Sequence, residues 1–269
     1  MSETYADALK KGISLLEAGD TEGAIQAFTR CTRAETGNAE GFFYLGDALS
    51  EAGRAEEAVE AYGKGLAIEP EDADALIALG DSQFELARYA DALASYGKAA
   101  KVDPANSDVY VNIGLVHRAQ ERSEEAIAAF RQALEINPEN VFALNSLGDA
   151  YYGLGERDKA VEAFTRGIEL DPDDAAAHFN LGDLYYDLGE VEEAERECLE
   201  AVRLDPTFTL SYLTLGSLYL DEERVDDAVK HFELYLKHEK SPQAADMVAE
   251  VKAVLEGLRE EVRKRKNEG

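Results

Sequence analysis

Three residue types keep one period of 34 along this chain of 269 residues. Proline stands at Pro70, Pro104, Pro138, Pro172 and Pro206, with Pro242 following after 36. Glycine repeats at Gly12, Gly46, Gly80, Gly114, Gly148, Gly182 and Gly216, and alanine at Ala24, Ala58, Ala92, Ala126, Ala160, Ala194 and Ala228. A fixed period of this length describes a stack in which each unit buries its neighbour's apolar face. One closed globular domain has no use for it.

Within a period the spacing is helical. In 141–174, Leu144, Leu147, Gly148 and Tyr151 fall at i, i+3, i+4 and i+7, one face of a helix. Ala160, Phe164 and Gly167 mark a second helix. Gly155 between them suits the positive φ that ends a helix, as do Gly19, Gly53 and Gly189. Ala87, Glu121 and Glu223 hold the same slot, so those turns need another geometry or carry strain. Pro172 stops the second helix, and Asp173 and Asp174 suit the positive start of the next. Gly148 and Ala160 would let the two helices cross closely, and a leucine at either would overpack the crossing.

The order Leu144-x2-Leu147-Gly148-x2-Tyr151 … Ala160-x3-Phe164 … Pro172 resembles the tetratricopeptide repeat. The resemblance covers seven units: 5–38, 39–72, 73–106, 107–140, 141–174, 175–208 and 209–242. It implies an all-α fold, an α-α superhelix of seven helix-turn-helix repeats. Residues 1–4 would form an N-terminal tail, and 243–269 a capping helix with a basic tail at Arg263–Lys266. Val248, Val251 and Leu255 would face the seventh unit. The family's tryptophan is absent; Phe42, Leu76, Tyr110, Leu144, His178 and Tyr212 stand in its place. Unit one is weaker, with Thr36 where proline belongs, and Cys198 replaces the aromatic of unit six.

A net charge of −29 argues against nucleic acid and anionic lipid as partners. With no long apolar run and no visible leader, the expectation is a cytoplasmic protein that does not insert in membranes. Phosphate loops, HExxH, GxSxG and CxxC are all missing, so neither enzyme activity, cofactor nor metal is expected. Cys31, Cys198, His117 and His178 fall on core positions.

Function then rests on a surface. In proteins that this chain resembles, positions 2, 5, 9 and 12 of each first helix line a concave groove that binds peptides. Here those positions and their neighbours supply Phe43, Tyr44, Phe84, Phe142, Tyr152, Phe179 and Tyr186, read as an exposed aromatic face. Asp47, Asp81, Asp149 and Asp183 recur at position 9, and Arg118 stands at position 12 of unit four. Interleaved carboxylates and aromatics would favour a partner with Lys or Arg beside apolar residues. The alternative is that these aspartates only keep the groove soluble. Chaperone-docking members of the family clamp a carboxylate with basic residues, and that clamp is absent. O-GlcNAc transferase uses an asparagine ladder at position 6; Asn112 and Asn180 match it, and Asn145 lies one position earlier.

The expected function is a non-catalytic interaction scaffold or assembly adaptor for a basic, partly apolar segment. Two alternatives remain: a self-associating structural protein forming homo-oligomers, and an accessory subunit of an enzyme.

Overall fold

The computed structural model describes residues 4–268, and all of their side chains but those of 261 and 264–268. Of the expected tail 1–4, residues 1–3 lie outside this range, and so do the side chains of Lys264, Arg265 and Lys266 in the basic run. Among the described residues there is no strand, and fourteen α-helices pair into seven hairpins before a last helix.

The helices gather into two compact units. The first ends at Asn140 and the second begins at Val141. The first holds α1 (Tyr5–Glu17) with α2 (Thr21–Ala34), α3 (Glu40–Glu51) with α4 (Ala55–Leu66), α5 (Ala73–Glu85) with α6 (Tyr89–Val102), and α7 (Ser107–Ala119) with α8 (Ser123–Ile136). The second holds α9 (Val141–Gly153) with α10 (Arg157–Leu170), α11 (Ala175–Leu188) with α12 (Val191–Leu204), and α13 (Thr209–Asp221) with α14 (Val225–His238). A 3-10 turn at Pro242–Ala244 leads into α15 (Ala245–Glu268).

Five of the helix starts carry a side-chain cap. Thr4, Asp20, Asp72, Asn106 and Asp174 each accept a backbone N–H of the first turn, satisfying donors that the helix cannot.

Six of the seven hairpins close on one ring. A Cβ on Gly148 would lie 2.5 Å from Cε1 of Phe164, and one on Gly46 would lie 2.5 Å from Cε1 of Tyr62. Phe28, Tyr96, Phe130 and Phe232 cover Gly12, Gly80, Gly114 and Gly216 in the same way. The glycine is therefore demanded by the facing side chain, and less by backbone meeting backbone. In the sixth hairpin the thiol of Cys198 takes the ring's place over Gly182. The periodic alanines from Ala24 to Ala228 have no exposed surface at all.

The turns inside the hairpins share one geometry. Gly155 has φ 73°, while Ala87, Glu121 and Glu223 have φ 54°, 58° and 57°. Ala87 N–H donates to Phe84 O and Arg88 N–H to Gln83 O, just as Gly155 and Glu156 donate to Tyr152 and Tyr151. Of the two outcomes the sequence left open, the structure takes strain. A left-handed residue with a Cβ costs roughly 1–2 kcal/mol.

In the second unit, Val251, Leu255 and Leu258 of α15 are buried in the cluster that holds Leu215, Phe232 and Tyr235, with Val248 at its edge. Cys31 and Cys198 are buried thiols. His178 fills the tryptophan slot of its repeat with a polar partner: Nδ1 lies 2.7 Å from Glu197 Oε2 and Nε2 lies 3.1 Å from Pro172 O.

Candidate functional site

In the first unit the expected site residues lie on α3, α5 and α7. The Phe43 ring is partly buried over Gly65, where a Cβ would come within 2.3 Å of it. Tyr44 stacks on Phe28 at 5.4 Å, and Phe84 tilts against Tyr89 at 5.8 Å. Asp47 Oδ1 accepts from the Tyr62 hydroxyl at 2.7 Å. Asp81 Oδ1 accepts twice, from the Tyr96 hydroxyl at 2.6 Å and from Asn112 Nδ2 at 3.1 Å. Arg118 is exposed on α7.

The second unit repeats this logic on α9, α11 and α13. Asn180 Nδ2 donates to Asp149 at 3.2 Å, and the Thr214 hydroxyl to Asp183 at 3.1 Å. Tyr152 donates to Asp187, and Tyr186 to Asp221 at 2.6 Å. Asn145 Nδ2 donates to Asp174, the cap of α11, at 2.8 Å. Phe179 leans on Phe208 at 5.2 Å. Phe142 is 57% exposed.

Two expectations change. The aromatic face is not open: of its members Phe142 stands out, while Phe43, Tyr44, Phe84, Tyr152, Phe179 and Tyr186 are half-buried, held by groups of their own or a neighbouring repeat. The position-9 aspartates are not bare carboxylates. They already accept hydrogen bonds from within the chain, and the amides of Asn112, Asn145 and Asn180 already donate one each. The physical reason is register. Position 9 of one repeat lies beside position 6 of the next, so Asp meets Asn or Thr 31 residues on.

Burial raises the carboxyls of Asp47, Asp81 and Asp183 above their ordinary value, opposed in each case by the hydrogen bond that the carboxylate accepts. The bond to Asp187, then burial, pushes the Tyr152 phenol up to about 12. Burial likewise takes the Cys198 thiol to about 12, which leaves it unreactive. Among the described residues, no group of three or more His, Cys, Asp or Glu could hold a metal ion.

One concave feature stands beside this stripe, between α3 and α5. It is a cavity of about 440 Å³ whose lining includes Glu40, Asp47, Glu69, Asp72 and Asp74. Its apolar walls are the rings of Phe43, Tyr44 and Tyr62 and the methyls of Ala75 and Ala78, and no basic side chain lines it.

A family model described as the cilia and flagella-associated protein 70 C-terminal domain, a tetratricopeptide region, matches residues 6–207. The chain belongs to this tetratricopeptide repeat family. No curated protein matches it. A crystal structure of MamA is 28% identical, with TM-score 0.60, over 65% of this chain and 96% of that one. YrrB, described as a TPR protein with an unusual peptide-binding site, is 25% identical, with TM-score 0.55, over 70% of this chain and 97% of that one. A tetratricopeptide protein from Parabacteroides merdae shares the fold over 95% of this chain and 98% of its own, at TM-score 0.70 and 19% identity.

Several residues of this tetratricopeptide protein escaped the sequence reading. Tyr62 and Tyr96 hold the slot that Phe164 has in its repeat, and their hydroxyls reach out of the core to the aspartates. Thr214, Asp187 and Asp221 complete bonds between repeats, and separations of 31 and 35 residues were the available signal. Glu69 and Asp72 line the cavity from the connection before α5, outside the helical stripe. None of the described tetratricopeptide helices is long and apolar enough to cross a membrane.

Proposed function

We propose that this chain is a non-catalytic protein-interaction scaffold, and that its first unit binds a basic, partly apolar segment of a partner. The cavity between α3 and α5 carries the reading, because carboxylates and aromatic walls occur there without a basic side chain. Such a lining favours a cation on an apolar stem. YrrB, with its described peptide-binding site, supports the same direction. The helices supply a rigid frame, as their faces are locked by ring-on-glycine packing.

The test is a titration of the full chain with a fluorescent peptide of alternating Lys and Leu, against wild type and a Glu40→Gln/Asp74→Asn variant. These two carboxylates are exposed, so their neutralisation should spare the fold. Affinity should fall in the variant, and its salt dependence should flatten. Equal affinity and equal salt slope would remove the basic-segment reading.

Self-association is the second reading, favoured by Phe142 and Leu210, which are 57% and 49% exposed at position 2 of their repeats. Sedimentation of the intact chain decides it: one monomeric species at all concentrations excludes it.

A further inference from the structure

Three of the described aspartates at position 9 receive a donor from position 6 of the following repeat. Asn112 donates to Asp81 at 3.1 Å, Asn180 to Asp149 at 3.2 Å, and Thr214 to Asp183 at 3.1 Å. Between α3 and α5 the same place is held by Ala78, whose methyl cannot donate. Asp47 therefore keeps only the bond from Tyr62 among the described contacts, at 2.7 Å. The space that an asparagine amide would fill is open, and it is the cavity of about 440 Å³ that Asp47 and Ala78 line together. Nowhere else in the described stripe is a position-9 aspartate left without its neighbour's donor.

An ionised carboxylate has about four acceptor sites, and Tyr62 uses one of them. Burial and the nearby charge of Asp72 both work against the ionised form of Asp47, so an incoming cation relieves a cost already present. The surroundings select among cations. A bare metal ion would need converging ligands, and no such group exists among the described residues. Aromatic faces and methyl groups instead suit a side chain with an apolar stem and a flat, weakly hydrated head. That is arginine, whose planar head stacks on rings and carries five donors, more than a lysine ammonium can aim at once.

We propose that the cavity between α3 and α5 is a socket for an arginine side chain of a partner polypeptide. Its guanidinium supplies Asp47 with the N–H donor that Asn112 and Asn180 supply to their own aspartates. The aliphatic stem lies along the rings of Phe43 and Tyr44, and Glu40 and Asp74 at the mouth add attraction for the same charge. This rests on the scaffold reading and narrows it to one residue type at one place.

The experiment uses the full chain with labelled alanine methyl groups and three capped peptides, Ala-Leu-Arg-Leu-Ala and its citrulline and lysine counterparts. Citrulline keeps the shape of arginine and removes the charge. The arginine peptide should shift the methyl resonances of Ala75 and Ala78 and bind about tenfold tighter than the citrulline one, the worth of a charge-assisted hydrogen bond. Ala78→Asn should weaken the arginine peptide about tenfold while holding or raising Tm, because it installs the amide used one repeat further on. Asp47→Asn, which keeps an acceptor for Tyr62, should give the same loss should the first variant fold poorly.

Equal binding of arginine and citrulline peptides, equal binding of arginine and lysine peptides, or full affinity in Ala78→Asn and Asp47→Asn overturns the socket. Any of these leaves the scaffold reading standing, since a peptide is still bound. An arginine peptide that shifts no resonance of α3 or α5 overturns the socket, and the Lys-Leu titration then reports separately on the scaffold.

Discussion

The carboxylate of Asp81 lies 2.6 Å from the hydroxyl of Tyr96, so a ring that anchors the core of a hairpin also holds the charge on its inner face. The same oxygen takes Asn112 of the next repeat. One acceptor thus ties the two helices of one hairpin to the hairpin after it. Tyr96→Phe leaves the ring's packing intact and removes the bond, which should cost about 1.5–3 kcal/mol, the range for hydrogen bonds to a charged group. Urea unfolding checks this. Adding Asn112→Ala should cost a different amount than it does alone, because both donors share Asp81, and strict additivity would show that they act independently.

The rings over the glycines set a second expectation. Gly148→Ala should destabilise by about 1–3 kcal/mol, because its Cβ would fall 2.5 Å from the Phe164 ring. Gly63→Ala, on α4 with nothing within 4 Å, should stabilise by roughly 0.5–1 kcal/mol through helix propensity. Thermal unfolding of the pair reads the opposite signs directly. The same sign in both would mean that the hairpin repacks freely around the ring.

Strain in three turns can be relieved one residue at a time. Ala87→Gly, Glu121→Gly and Glu223→Gly each remove a Cβ from a left-handed residue and should raise stability by about 0.5–1 kcal/mol. Gly155→Ala, with φ 73°, should lower it by about 1 kcal/mol. Chemical denaturation of the four variants gives the comparison, and stabilisation by Gly155→Ala would refute the strain argument.

Acidity should act through the inner-face carboxylates. Burial raises Asp47, Asp81 and Asp183 above 3.8, so the folded chain holds protons that the unfolded chain has released. Their contribution is fullest below 3.8 and is lost as pH rises through the raised values. Glu57 and Glu200, lowered by bonds to Arg54 and Arg203, work the other way and lose their contribution as pH falls, but they are solvated and screened. The Tm of Asp47→Asn relative to wild type should therefore climb between acid and pH ~8. A difference that stays constant with pH would contradict the raised Asp47.

The fold was legible because its causes recur. Glycine under a ring, alanine at the crossing and proline after the second helix answer the same steric demand in unit after unit, with Cys198 and Thr36 as the exceptions. The inner face was harder to read. A half-buried tyrosine and an exposed one look alike in sequence, and the acceptors that hold Tyr152 and Tyr186, Asp187 and Asp221, are each 35 residues on. Glu197 gave no sign of being buried, because second-helix glutamates elsewhere in the chain face water. Its burial depends on His178, which replaces an apolar residue at the start of the same hairpin.

The register of positions 9 and 6 makes the order of the modules matter, even where the modules look interchangeable. Excising 73–106 as a cassette would splice Asn112 into the place of Ala78. Asp47 would then face an amide, and the opening beside it would close. Excising 107–140 instead would set Ser146 against Asp81, a hydroxyl for an amide, and leave that opening untouched. Two shortened chains of equal length and nearly equal composition would thus differ in whether they retain a vacant acceptor. That property belongs to the succession of repeats and is written in no single one of them.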